Sequence, residues 1–223
     1  MSILDLITSF LAPHTCVGCG TEGAVLCPAC VALLPKIPTR CYRCNAVTEM
    51  HRTCRSCRRQ SQLVYVWPAT TYETAAKAAV HRLKYERARA AADCLALAMA
   101  MRLPSLPLSS WVIVHAPTVP ARVRVRGYDQ AQLVARALGR SLHFPVAAAL
   151  VRQTNQRQVG QSGVTRRKQM AGAFGVDQPS VVKNKDILLI DDVLTTGATL
   201  EAAAAALRQA GARRVAAAVF AQA

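Results

Sequence analysis

The chain has 223 residues, 52% of them hydrophobic and 18% charged, with a formal net charge of +16. That composition can bury one full core and excludes a disordered basic tail; the length allows one domain, or one domain with a small module. Aromatic residues make up only 5%, which argues against a base-stacking platform as the main device, while the basic excess points to polyanionic partners: nucleic acid, phosphorylated metabolites or both.

No run reaches the roughly 18 uncharged apolar residues of a membrane span. Residues 2–12 are apolar but carry Asp5 where a signal peptide wants positive charge, so they predict a short amphipathic helix and a cytoplasmic protein.

Eight of the nine cysteines form four C-x-x-C pairs within the first 57 residues: Cys16/Cys19, Cys27/Cys30, Cys41/Cys44 and Cys54/Cys57. Two intervening residues let a tight turn aim both sulfurs at one tetrahedral ion, so eight thiolates predict two structural zinc sites, each held by four cysteines. A disulfide scaffold would suit an exported chain, and a redox pair would not come in four copies. Pairing stays open between sequential sites and interleaved ones. Arg40, Arg43, Arg52, Arg55, Arg58, Arg59 and His51 surround the pairs, either to contact phosphates or to solvate a small module. Cys94, alone in an alanine-rich stretch, is expected as a buried small hydrophobe.

Residues 75–102 read as one helix or two, interrupted by the basic segment His81-Arg-Leu-Lys-Tyr-Glu-Arg87 and ended by Pro104 and Pro107. Residues 111–116 predict a buried strand closed by Pro117. A Pro- and Arg-rich loop through Arg122, Arg124 and Arg126 to Gly127 is expected next, then a helix over 129–138 with Gly139 at its end. Residues 152–172, polar and rich in Gln and Arg, predict a long loop. Strands at 187–190 and 215–220 flank a helix at 200–209 stopped by Gly211. Continuously apolar strands alternating with helices predict an α/β fold with a parallel sheet covered on both faces. Most of the basic excess lies at 111–186, with 12 basic against 3 acidic side chains.

The decisive segment is Ile187-Leu-Leu-Ile-Asp-Asp-Val-Leu-Thr-Thr-Gly-Ala-Thr199. It reads as a buried strand ending in two carboxylates and a Thr/Gly loop, from which a helix starts. Backbone N–H groups at that start, with the Thr hydroxyls, make a phosphate cradle, and Gly197 lets the backbone approach the anion. Asp191 and Asp192 repel a phosphate, so they must serve sugar hydroxyls or a cation nearby. A ribose 5-phosphate unit meets both demands. No Gly-Lys-Ser/Thr follows, which excludes a Walker loop.

This segment resembles the 5-phosphoribosyl 1-pyrophosphate (PRPP) signature of type I phosphoribosyltransferases. The four cysteine pairs, His81-Arg-Leu-Lys-Tyr85, Arg126-Gly-Tyr-Asp-Gln130, the 158–166 stretch, Ala173-Phe174 and Asp191 to Thr199 together resemble the ComF family. The resemblance implies a double zinc-ribbon module at 1–63 and a phosphoribosyltransferase-like domain at 64–223, helical over 64–110 with an α/β core at 111–223. It implies that Asp191 and Asp192 hold the ribose hydroxyls and that Thr195, Thr196, Gly197, Ala198 and Thr199 hold the 5′-phosphate. The loop from Pro117 to Arg126-Gly127 corresponds to the pyrophosphate loop, with Lys84 a further candidate, and 152–172 to the loop that closes over the site. Mg²⁺ accompanies PRPP in this resemblance, and single-stranded DNA and DNA-uptake proteins are its partners. The chain has Val114-His115-Ala116-Pro117 where the family usually has Val-Pro-Val-Pro, Tyr128-Asp129 where it has Phe-Asn, and Gln169 where it has Asn.

Overall fold

The computed structural model describes residues 14–106, 111–153 and 172–223. The expected N-terminal helix at 2–12, Pro107, and the expected 152–172 loop apart from its two ends lie outside these residues. In chain order the elements are α1 (Pro28–Ala32), β1 (Leu63–Thr71), α2 (Thr74–Tyr85), α3 (Ala91–Ala100), β2 (Trp111–His115), α4 (Pro120–Arg126) and α5 (Gln130–Leu142). They continue with β3 (Val146–Ala147), β4 (Leu150–Arg152), β5 (Phe174–Val176), α6 (Pro179–Val182), β6 (Asp186–Leu194), α7 (Ala198–Gln209) and β7 (Arg214–Gln222). Two 3-10 turns, Glu49–His51 and Cys57–Gln60, lie in the cysteine-rich region.

The main sheet has the order β1-β7-β6-β2-β3, with every neighbouring pair parallel. β7 and β6 sit inside it because their apolar runs suit burial on both faces. One face, carrying Ile113, Leu188, Ile190, Ala216 and Ala218, packs on α2, α3 and α5. The other, carrying Val114, Ile187, Leu189, Val215 and Ala217, packs on α7 and the antiparallel β4–β5 pair. Alanines on β7 and on α7 let the helix lie close to the sheet.

Four sequence expectations are corrected. The stretch 64–110, read as helical, begins with the nine-residue strand β1; its Pro68 lies on an edge strand, where a missing N–H is tolerated. The expected Arg-rich loop is the short helix α4, opened by Pro120 and closed by Gly127. Gly139 does not end its helix: α5 runs on to Leu142 and is capped by His143 at φ 56. At Gly139 a Cβ would lie 2.3 Å from Val146 Cγ2, so the glycine allows the helix to touch β3. Finally, β6 runs past the aspartate pair to Leu194, because Val193 and Leu194 keep pairing with Ala221 and Gln222 of β7.

The helical reading of 75–102 resolves into α2 and α3, separated by Arg87 at φ 54. Cys94 is buried on α3 as expected, its thiol donating to Ala91 O at 3.0 Å. Among the described residues no helix is long and apolar enough to cross a membrane.

Candidate functional site

The parallel strand β2 ends beside Ile190 of β6, Ala116 N donating to Ile190 O at 2.9 Å, and β6 runs four residues further. Alternation along β6 sends Asp191 and Asp192 to opposite faces of the sheet edge. Asp192 is buried, and its Oδ1 accepts from Lys84 Nζ of α2 at 2.9 Å, while Oδ2 is buried with no partner among the described residues. Asp191 is half-buried, and its Oδ1 accepts from Asp192 N at 2.9 Å. Burial first, and the Asp192 charge second, push the Asp191 carboxyl up to about 8, against the Asp192 amide and Lys84. A carboxyl so displaced gains from a donor or a cation beside it.

Three residues on, Thr195 and Thr196 are exposed and Gly197 is buried at φ 73. The left-handed Gly197 turns the chain straight into α7, whose first turn leaves backbone N–H groups at Ala198 and Thr199 without helical acceptors. Thr196 Oγ1 lies 3.4 Å from Ala198 N. The acid pair thus lies within the last part of β6, and the turn and the helix start follow at once.

Lys84 joins this group. Arg126 Nη1 instead donates to Gln130 Oε1 at 2.7 Å, and its guanidinium lies 5.3 Å from the Tyr85 ring centroid. Gly127 terminates α4. Asp129 takes on two tasks: it caps α5 by accepting from Ala131 N at 3.0 Å, and it accepts from Thr118 N at 2.7 Å. The loop after β2 is thus clasped to α5 by Asp129. His115, where the ComF pattern has proline, is buried with Nδ1 unpartnered among the described residues, and burial lowers its pKa.

Sequence reasoning missed Arg152. It closes β4 with its guanidinium 5.1 Å from the Phe174 centroid, and Nη1 donates to Pro117 O at 3.4 Å. Burial lowers its pKa, and the Asp191 charge opposes that shift. Only the resemblance of the adjoining stretch to a closing loop pointed toward it.

The eight paired cysteines gather sequentially, Cys16, Cys19, Cys27 and Cys30 in one group and Cys41, Cys44, Cys54 and Cys57 in the other, with each group's sulfurs within 4.8 Å of one another. The interleaved alternative is excluded. None of the eight is in a disulfide. The Cys19–Cys27 and Cys44–Cys54 sulfur pairs lie 3.7 Å and 3.5 Å apart, near the roughly 3.8 Å between ligands of a tetrahedral ion with Zn–S bonds of about 2.3 Å. Cys16 Sγ also accepts from Cys27 N at 3.3 Å and Gly18 N at 3.4 Å. The donor set and spacing fit zinc at both clusters.

Residues 123–223 match the family model described as the phosphoribosyl transferase domain, and the parallel sheet flanked by helices is the fold of that domain. A solved structure described as the allosteric regulatory enzyme of purine biosynthesis aligns at 18% identity with a TM-score of 0.41, covering 59% of this chain and 25% of that one. Glutamine PRPP amidotransferase from B. subtilis, complexed with ADP and GMP, aligns at 19% identity with a TM-score of 0.42, covering 59% of this chain and 26% of that one. This chain therefore spans about a quarter of the length of these two structures. No curated protein sequence matches it.

Proposed function

We propose that the chain binds PRPP or a related ribose 5-phosphate at the C-terminal end of β6. The observation that carries the reading is Asp192: a buried carboxylate with Lys84 on one oxygen and, among the described residues, no partner on the other, beside a Thr/Gly turn rich in amide donors. Asp191 and Asp192 bind the ribose hydroxyls. Thr195, Thr196, Gly197, Ala198 and Thr199 take the 5′-phosphate, whose charge suits the helix start. Lys84 and the loop held by Asp129 serve the pyrophosphate, with Arg126 and Gly127 at its rim.

Mg²⁺ fits the same carboxylates, since Asp192 Oδ2 is a buried acceptor unpartnered among the described residues; bound there with PRPP, it would offset charge on the pyrophosphate. Zinc at the two cysteine clusters holds the N-terminal module together, and its binding is part of that module's folding free energy. The module at 1–63 is taken as the zinc-ribbon unit and 64–223 as the ligand-binding unit.

The ComF resemblance extends the reading to DNA uptake, with single-stranded DNA on the basic surface of the module and of the 111–186 segment. The basic excess, greater than one metabolite needs, favours it over a purely metabolic role. Such binding would be weakly sequence-selective and strongly salt-dependent. The second reading is a working phosphoribosyltransferase. In it a nitrogen nucleophile displaces pyrophosphate from C1 of the ribose, and the acid pair stabilises positive charge developing on the sugar.

Calorimetric titration with PRPP tests the common premise: wild type binds, and Asp191→Asn/Asp192→Asn does not. Equal binding by both proteins refutes the site. Retained DNA binding in the double variant separates the two surfaces, and pyrophosphate release across a panel of nucleobases separates enzyme from binding protein.

A further inference from the structure

Tyr42 and Arg43, the two residues between Cys41 and Cys44, are directed at the turn. The Tyr42 ring lies against Gly197: a Cβ there would stand 2.9 Å from Tyr42 Cε2 and 3.2 Å from Cδ2. The Tyr42 hydroxyl donates to Glu201 Oε1 and lies 2.9 Å from Ser61 Oγ. Arg43 Nη1 is 3.4 Å from the same Glu201 oxygen and donates to Gln60 O at 2.5 Å. Gln62 N donates to Glu201 Oε2 at 3.0 Å.

Glu201 therefore gathers three donors from residues 42–62, and it sits in the first turn of α7, its own N–H bonded to Gly197 O at 2.9 Å. It is a clasp joining the second cysteine cluster to the helix start that forms the phosphate cradle. The first cluster lies elsewhere. Val17, Cys27 and Cys30 pack into the core on the other face of the sheet, and Arg82 of α2 donates to Thr15 O at 2.7 Å.

We propose that Tyr42 and Glu201 are positioning residues through which a metal ion in the second cluster and a sugar phosphate in the turn strengthen each other's binding. The inference rests on the reading of that turn given above. Tyr42 and Arg43 are bracketed by two ligands, so a bound ion fixes their backbone, and through Glu201 they hold Gly197 and the first turn of α7. Released thiols leave the bracket loose, and the cradle loses its outer wall. Thermodynamic reciprocity then requires the sugar phosphate to retain the ion.

The test uses the full-length, zinc-loaded protein. Calorimetry should show PRPP affinity reduced about tenfold in Tyr42→Ala and Glu201→Ala, within the usual range for coupled sites, and largely restored in Glu201→Gln, which keeps an acceptor for Tyr42 and Gln62. Zinc transfer to a chromophoric chelator should show two phases, one slowed several-fold by saturating PRPP in wild type and not in Glu201→Ala. Merely structural damage would not move that second readout. Wild-type affinity in both alanine variants, or zinc release indifferent to PRPP in wild type, overturns the inference and leaves the sugar-phosphate reading standing. A wild-type protein that binds no PRPP overturns both. Should the alanine variants fail to fold, the effect of PRPP on zinc release from wild type decides alone.

Discussion

Lys84 Nζ lies 2.9 Å from Asp192 Oδ1, joining α2 to the end of β6 across 108 positions of sequence. The ammonium occupies one oxygen of a buried carboxylate and is itself only partly exposed. In the proposed binding mode a pyrophosphate gives it a second anionic partner, whereas ribose 5-phosphate alone does not. Lys84→Met should accordingly weaken PRPP binding by about tenfold, roughly the worth of one charge-assisted contact, and change ribose 5-phosphate binding far less. Parallel titrations with the two ligands check this. An equal loss for both would mean that Lys84 only holds Asp192.

Asp191 makes the ligand-free site a liability at neutral and alkaline pH. Its folded pKa, about 8, stands above the usual 3.8. The folded state therefore binds the proton more tightly, and stability is lost as pH rises from about 4 to 8. Asp191→Asn removes that loss. It should raise the melting temperature at about pH 8.5, with the gain vanishing near about pH 4. Saturating PRPP should reverse the order of the two proteins. Thermal melts across this pH range supply the measurement.

Much of this site was legible because its parts are contiguous. The apolar run at 187–190, the Asp pair, Gly197 and the helix all lie within one short segment, so local rules suffice. Lys84 was legible only as one of several basic candidates for a pyrophosphate, since no local pattern places an α2 residue on β6. Arg152 and Glu201 carry no local signature at all: their partners lie on Phe174, Pro117, Tyr42 and Gln62, and only the folded chain assembles them. β1 was missed because Pro68 and its neighbours read as a poor central strand, which an edge position excuses. The loop reading of 120–126 failed because its arginines mask a helix whose packing is slight. Cysteine pairing is a matter of distance, and spacing alone left it undetermined.

At the opposite end of β6, Asp186 is buried and accepts from Arg213 Nε at 2.7 Å and Nη2 at 2.8 Å, and from both Nε and Nη2 of Arg214. Burial alone would raise its pKa, but the two guanidiniums outweigh it and bring it to about 2. A depressed acid contributes stability above its ordinary range and loses it as pH falls from about 4 to 2. Asp186→Asn should cost about 2 kcal/mol near neutral pH and flatten the acid limb of the stability profile, with PRPP affinity unchanged. Urea unfolding at neutral pH and at about pH 3 distinguishes this from a generic packing loss, which would persist at both.

Cys94 provides the internal control for the metal clusters. Its thiol is buried on α3 and pushed up to about 11, chiefly by burial, so it is neither a ligand nor a nucleophile in the folded protein. The other eight cysteines stand in two groups of four. Freshly purified protein should carry two zinc ions per chain, and Cys94→Ser should leave that count unchanged. Chelation should release both ions and open the eight clustered thiols to a thiol reagent, while Cys94 reacts only once the α/β core unfolds. Metal analysis with thiol counting before and after chelation measures each quantity, and a folded protein holding no zinc, with eight thiols reactive from the start, would refute the assignment of the clusters as metal sites.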